Sequence, residues 1–396
     1  MVITFVCDVL GKENNGTTIA TMNVIRAMQQ KGHTVRIVCP DEDKKGVPGY
    51  YVLPSINFGP FNNYVSNNGV CLAKADPEIL REAIKGSDIV HFNFCGEASA
   101  MAVDIAHEMG IPCTASLHSQ AENITSHVKL QNSEFANVTT YKVLYKRLFS
   151  KVDAIHYPTQ FLRDDFEGRI GIRTNGYVIS NGVRSDFHKQ KVEKPEQYKD
   201  KIVILYSARL GPEKDHKTLI EGIRKSKYAD KIQLILCGTG PLEKKVRKWC
   251  EKLKNPVDIG FHSHEDMIKI INYSDLYVHS SVIDLEAISA LEAIACGLTP
   301  VLSDSKQAAI RYFALEPMNL FKHKNPKDLA KKIDYWIEHP KEKAANSKKY
   351  LGYAKRFDFD LAMDSMEKMF KDTAAYFHYD NTENFMETVL NEDKNK

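Results

Sequence analysis

Short apolar runs alternate with amphipathic stretches along almost the whole chain. VITFVC at residues 2–7 precedes a polar loop through Asn15 and Gly16. Residues 17–31 then repeat Ile19, Met22, Ile25 and Met28 at the spacing of one helical face, with Thr17 or Thr18 to cap the start and Gly32 to stop the end. TVRIVC follows to Cys39, so the opening reads strand, helix, strand. Further strand-like runs lie at 88–92, 112–117, 153–157 and 177–180, separated by helical stretches such as 77–84 and 97–108. Alternation of this kind predicts a mostly parallel sheet covered on both faces. The pattern breaks at residues 186–201, which are polar, Lys-rich and contain Pro195, and it restarts with runs at 201–207, 231–237, 257–261, 275–280 and 299–303. Two α/β domains are expected, 1–185 and 201–355, with a linker at 186–200. A C-terminal helix over 356–380 is expected to pack back towards the first domain, and the polar tail 381–396 to fray.

Composition narrows the class. The chain has 396 residues, 43% hydrophobic and 27% charged, which is ordinary for a folded globular protein. Its 54 Lys plus Arg against 51 Asp plus Glu leave a net charge of +3, too little for nucleic acid to be the expected partner. The N-terminal residues lack a basic segment followed by an apolar one, and no apolar run approaches the ~18 residues of a membrane span. A cytoplasmic protein with at most peripheral membrane contact is expected. The eight cysteines have no C-x-x-C spacing and read as reduced core residues. The acidic groups at 41–43 and 358–360 read as a loop and a helix cap, so no metal and no cofactor is expected.

In doubly wound sheets ligands sit beyond the carboxyl ends of the strands. There the second domain carries Arg209 and, five residues on, Lys214 before a helix start. Two cations beside a helix start suit a diphosphate, although a salt-bridged surface loop would carry the same residues. Gly238 and Gly240 flank Thr239 after the next strand, which suits close approach to a ligand or an ordinary tight turn. The stretch HSSVIDLEAISALEAIACG brings Asp284, Glu286 and Glu292 ahead of a small-residue helix end.

SNGV (180–183), ARLGPEK (208–214), CGTGPL (237–242) and DLEAISALEAIACGLTPV (284–301), with the Gly16 loop, together resemble the GT-B glycosyltransferases of family 4. The resemblance covers nearly the whole chain. It implies two Rossmann-like domains facing a central cleft, and a metal-independent, retaining transfer of a hexose from a UDP-sugar. In such enzymes the Arg and Lys of the second-domain loop contact the donor diphosphate, here Arg209 and Lys214. The second acid of the E-x7-E element holds the ribose, here Glu292. The first acid, facing the sugar, falls on Asp284, with Glu286 as the other candidate, while the backbone at Ala287 and Ile288 offers N–H groups. His118, after a first-domain strand, falls near the donor sugar, and Gly16 and Thr17 near its phosphates.

The acceptor is read from the first domain. Residues 141–151 place Tyr141, Leu144, Tyr145 and Leu148 on one helical face with Lys142, Lys146, Arg147 and Lys151 around it, the pattern of a basic interfacial helix or of a helix packed on a sheet. The uncharged loop 54–69 offers Phe58, Phe61 and Tyr64 to an apolar acceptor. The HSQAENIT and DLEAISALEAIACG variants resemble members that glycosylate membrane lipids such as diacylglycerol. The expected donor is UDP-glucose or UDP-galactose and the expected acceptor a diacylglycerol- or ceramide-like lipid at an anionic membrane surface. The alternatives are a soluble or polyprenyl-linked saccharide acceptor, a non-catalytic nucleotide-sugar binder, or an epimerase.

Overall fold

A computed structural model describes residues 1–10, 16–57, 59 and 71–393, with side chains through 377. The chain forms two compact units, 1–179 with 362–396, and 180–361.

The first unit holds β1 (Val2–Val6), α1 (Gly16–Gln30), β2 (Thr34–Cys39), β3 (Tyr50–Val52), α2 (Pro77–Ile84), β4 (Ile89–Phe92), α3 (Glu97–Glu108), β5 (Cys113–Ser116), α4 (Ala121–Thr125), α5 (Glu134–Leu144), β6 (Ala154–Tyr157), α6 (Gln160–Ile170) and β7 (Gly176–Val178). The sheet order is β3-β2-β1-β4-β5-β6-β7, with every pair parallel. The central strands β4, β5 and β6 are buried at every position, because helices cover both faces of a parallel sheet. Asp76, Ser133 and Thr159 cap α2, α5 and α6 through their side chains.

The second unit holds β8 (Ile202–Ser207), α7 (His216–Lys225), β9 (Ile232–Cys237), α8 (Glu243–Cys250), β10 (Asp258–Gly260), α9 (His264–Tyr273), β11 (Leu276–His279), α10 (Ile288–Ala295), β12 (Pro300–Ser303), β13 (Leu320–Phe321), α11 (Pro326–Glu338) and α12 (Pro340–Ala354). Its parallel sheet runs β10-β9-β8-β11-β12-β13. The linker expected at 186–200 lies inside this unit. Phe187 is in its core and Lys194 pairs with Asp275 at 2.5 Å, so one apolar anchor and one ion pair fasten a stretch that is otherwise polar.

The last helix, α13 (Phe359–Asp393), crosses back to the first unit at Ala362. There Met366, Met369 and Phe370 are buried, and the Phe370 ring meets Phe5 and His91 edge-on at 6.0 and 5.1 Å. The tail expected to fray is helical in its backbone through Asp393. Asp358 caps this helix through the Leu361 amide. Among the described residues no helix is long and apolar enough to cross a membrane, and no group of three or more His, Cys, Asp or Glu could hold a metal ion.

Candidate functional site

In the second unit the strand order reverses between β8 and β11, and a crevice opens beyond their carboxyl ends at such a reversal. The segments that follow those two strands carry Arg209 and Lys214 on one side and residues 280–288 on the other. Lys214 ends a single 3-10 turn (Pro212–Lys214). Its carbonyl accepts from Tyr206 Oη at 2.9 Å and Ser280 Oγ at 3.0 Å. Its ammonium lies 2.6 Å from Asp284 Oδ2.

Asp284 is fully engaged. Oδ2 also accepts from His279 Nε2 at 3.0 Å, and Oδ1 accepts the Ala287 amide at 2.8 Å. Since a carboxylate only accepts, His279 carries its proton on Nε2 and takes the Tyr277 hydroxyl on Nδ1, 2.9 Å away. Tyr206, Tyr277, His279, Ser280 and Ser281 thus form a polar bed under Lys214 that the sequence reading did not assign. The one signal was the run His279-Ser280-Ser281 at a strand end.

The Ala287 amide, expected to be open to a ligand, is taken by Asp284. Ala287 itself stands at φ 57°, a conformation unfavourable for a side-chain-bearing residue, and α10 opens immediately after it. The amides of Ile288 and Ser289 begin that helix, where no intrahelical partner exists. Glu286 does not share the Asp284 position: both its oxygens accept from Ser180 and Asn181. Glu292, on α10, has no hydrogen bond or ion pair for its carboxylate among the described residues, and burial, with Asp186 nearby, pushes its carboxyl up to about 8.

Gly238 and Gly240 owe their identity to the neighbouring backbone. A Cβ on Gly238, at φ 146°, would stand 2.2 Å from the Ala208 carbonyl oxygen, and one on Gly240 2.7 Å from that of Leu210. The Leu210 amide donates to Thr239 O at 2.9 Å and the Leu242 amide to Leu210 O at 2.9 Å, so the glycine turn is the frame on which the Arg209 loop hangs.

In the first unit His118 stands two residues past β5, 8% exposed, with its ring edge-on to His156 at 5.6 Å. Burial, with His156 nearby, pulls its pKa down to about 3, so the imidazole is a neutral hydrogen-bonding group. Beside it lies a mainly apolar cavity of 20 Å³ lined by Phe94, Leu117, Ile124, Leu144 and Phe149 among others. Below it runs a row of buried polar groups. His156 Nε2 donates to the Ile179 carbonyl at 2.7 Å, Ser116 bridges His156 Nδ1 and His91 Nε2 at 2.8 and 2.9 Å, and Thr114 meets His91 Nδ1 at 2.8 Å. Gly16 and Thr17 open α1, while Phe58, Phe61 and Tyr64 lie outside the described residues.

The expected interfacial stripe is core instead. Tyr141 and Leu148 are fully buried, and the rings of Tyr141, Tyr145 and Phe149 surround Phe166 at 5.0, 6.4 and 5.5 Å. The helix also changes to a π turn over Tyr145–Phe149, which re-aims its last residues. Lys142, Lys146 and Arg147 are exposed, whereas Lys151 pairs with Asp104 at 2.6 Å. The outer face of α5 presents Phe135, 83% exposed, and Val143, 55% exposed. Glu122, downstream of His118, is buried against Arg169 at 2.8 Å and Asn137 at 3.2 Å, a structural assignment.

The family model for Glycosyltransferase Family 4 matches residues 14–187, and that for Glycosyl transferases group 1 matches residues 187–354. No curated protein sequence matches the chain. Among solved structures, HepE of Anabaena with UDP and glucose is 18% identical over 94% of this chain and all of its own, with a TM-score of 0.71. WaaG, a glycosyltransferase involved in lipopolysaccharide biosynthesis, is 14% identical over 94% of this chain and 99% of its own, TM-score 0.67. The catalytic domain of cholesterol-alpha-glucosyltransferase from Helicobacter pylori is 36% identical over 39% of this chain and 98% of its own, TM-score 0.39. With its two models matched head to tail over two parallel-sheet units, the chain belongs to the family 4 glycosyltransferases of GT-B fold.

Proposed function

We propose that the protein moves a hexose from UDP-glucose or UDP-galactose to the hydroxyl of a membrane lipid, with retention of anomeric configuration and without a metal. The observation that carries this reading is that Arg209, Lys214 and Glu292 lie on the segments that follow β8 and β11, the two strands at which the sheet order reverses. Two cations offset the charge of the departing diphosphate, and the Glu292 carboxyl, without a hydrogen-bond partner among the described residues, is left to accept two vicinal ribose hydroxyls. The UDP-glucose complex of HepE, a protein of the same fold, accords with a nucleotide-sugar donor. Asp284 fixes Lys214 and, through the loop it caps, the amides of Ile288 and Ser289 that face the donor. Neutral His118, in the first unit, has the hydrogen-bonding chemistry that suits a sugar hydroxyl.

A lipid acceptor is supported by the outer face of α5, where Phe135 and Val143 are exposed next to exposed Lys142, with Lys146 exposed on the turn that follows. Such a face rests on an anionic bilayer peripherally. Incubation with radiolabelled UDP-glucose and UDP-galactose and total membrane lipid tests this reading: label is expected in the organic phase. Label in a water-soluble saccharide would move the acceptor to the soluble class, and no UDP-dependent glycoside would leave a binding protein or an epimerase.

A further inference from the structure

We propose that Glu286 is a positioning residue that clamps the donor-binding loop to the two passages of the chain between its units. The inference rests on reading residues 284–292 as part of the donor site. The chain leaves the first unit between Ile179 and Ser180 and returns between Leu361 and Ala362. Immediately after the outward passage, Ser180 Oγ donates to Glu286 Oε1 at 2.5 Å, Asn181 Nδ2 donates to Oε2 at 2.5 Å, and the Asn181 amide reaches both oxygens at 3.2 and 3.1 Å. Ser180 Oγ also accepts the Gly182 amide at 3.0 Å, which fixes the turn. One residue later the Val183 amide donates to Phe357 O at 2.6 Å and the Phe359 amide to Val183 O at 3.1 Å, so the return passage hangs on the same short segment. On the far side of the Ile179–Ser180 junction, His156 holds the Ile179 carbonyl.

Glu286 is 3% exposed and stands between Asp284, which grips Lys214, and Ala287, which opens the helix bearing Glu292. Burial pushes its carboxyl up to about 7, so the donors from Ser180 and Asn181 are what make the ionised form tenable. Turning the carboxylate to a sugar would strip a nearly buried backbone amide of its acceptor. The arrangement therefore transmits any shift of the loop, when the donor site fills, to the passage segment. It also assigns the sugar-facing role away from Glu286.

The test is hydrogen exchange across 180–183 and 357–361, with and without UDP, on the whole protein and its Ser180→Ala and Glu286→Gln variants, alongside steady-state kinetics. UDP is expected to slow exchange at 180–183 by ~10-fold or more in the wild type, and by much less in both variants although they still bind UDP. Both variants should lose kcat to a similar extent with little change in donor KM, and the double variant should be no worse than either. Exchange at 180–183 that ignores bound UDP in the wild type overturns the clamp. A silent Ser180→Ala beside an inactive Glu286→Gln also overturns it and marks Glu286 as sugar-facing. Failure of the wild type to bind UDP overturns the donor reading and the clamp with it.

Discussion

The ammonium of Lys214 and the carboxylate of Asp284 meet at 2.6 Å, and the other oxygen of that carboxylate holds the Ala287 amide, so one side chain sets both the cation and the loop. Burial opposes ionisation of Asp284, but the charge of Lys214 and the hydrogen bond from His279 win and hold its carboxyl well below the usual carboxylate range. A depressed carboxyl contributes stability that is full above the unfolded value near ~4 and is lost as pH falls towards the folded value. Asp284→Asn should lower the melting temperature by ~5 °C or more at pH 7, with the gap to the wild type closing below pH ~4. Thermal scans at the two pH values check this.

Replacing Arg209 or Lys214 by Ala should cut turnover ~100-fold, the scale for removing one preorganised electrostatic donor. Initial rates with saturating donor measure it, and full activity in both variants would remove the diphosphate assignment. EDTA should leave the wild-type rate unchanged; loss of activity restored by Mg²⁺ or Mn²⁺ would contradict the metal-free reading.

Glu292 behaves in the opposite sense to Asp284. Its folded value, about 8, lies above the ordinary carboxylate value, so the neutral form suits the donor-free fold and stability falls as pH rises from ~4.5 to about 8. Glu292→Gln should therefore raise the melting temperature at pH 8.5 by a few degrees, leave it little changed at pH 5, and weaken UDP binding ~10-fold or more. Calorimetry with UDP and scans at both pH values decide it, and unchanged UDP affinity would make Glu292 structural.

Gly238→Ala should act on the donor site from a distance. The new Cβ would meet the Ala208 carbonyl at 2.2 Å and force the Arg209 loop away, at a cost of ~2 kcal/mol or more. Reduced melting temperature together with weaker UDP binding is expected; a variant as stable as the wild type would show that the loop yields freely.

The proposed membrane contact on the outer face of α5 can be tested directly. Phe135→Ser with Val143→Ser should reduce sedimentation with anionic vesicles, as should Lys142, Lys146 and Arg147 all changed to Gln, with the second set also losing its salt dependence. Equal binding by wild type and both sets would place the contact elsewhere or nowhere.

The central strands were legible because a parallel strand buried on both faces leaves a continuous apolar run. The edge strands Tyr50–Val52 and Leu320–Phe321 were missed because two or three residues at a sheet margin leave no such run. The stripe through Tyr141 and Leu148 was read correctly as apolar, but the pattern is the same whether lipid or Phe166 covers it. Asp284, Glu286 and Glu292 were visible as three acids near a helix start. Their different surroundings were not, because Lys214, Ser180 and Asn181 come from segments about 70 and 105 residues away. The row His91, Ser116 and His156 was invisible for the same reason: it exists only once β4, β5 and β6 lie side by side.

The docking of α13 also orders events during synthesis. Phe370 completes a packing arrangement begun by Phe5 and His91, yet every residue of the second unit is translated between them. At ~5–20 residues per second, residues 180–361 occupy the ribosome for on the order of 10–40 s. During that interval the nascent first unit holds an apolar surface with no cover, and a message or chaperone that alters the pace of the second half alters how long the first half waits.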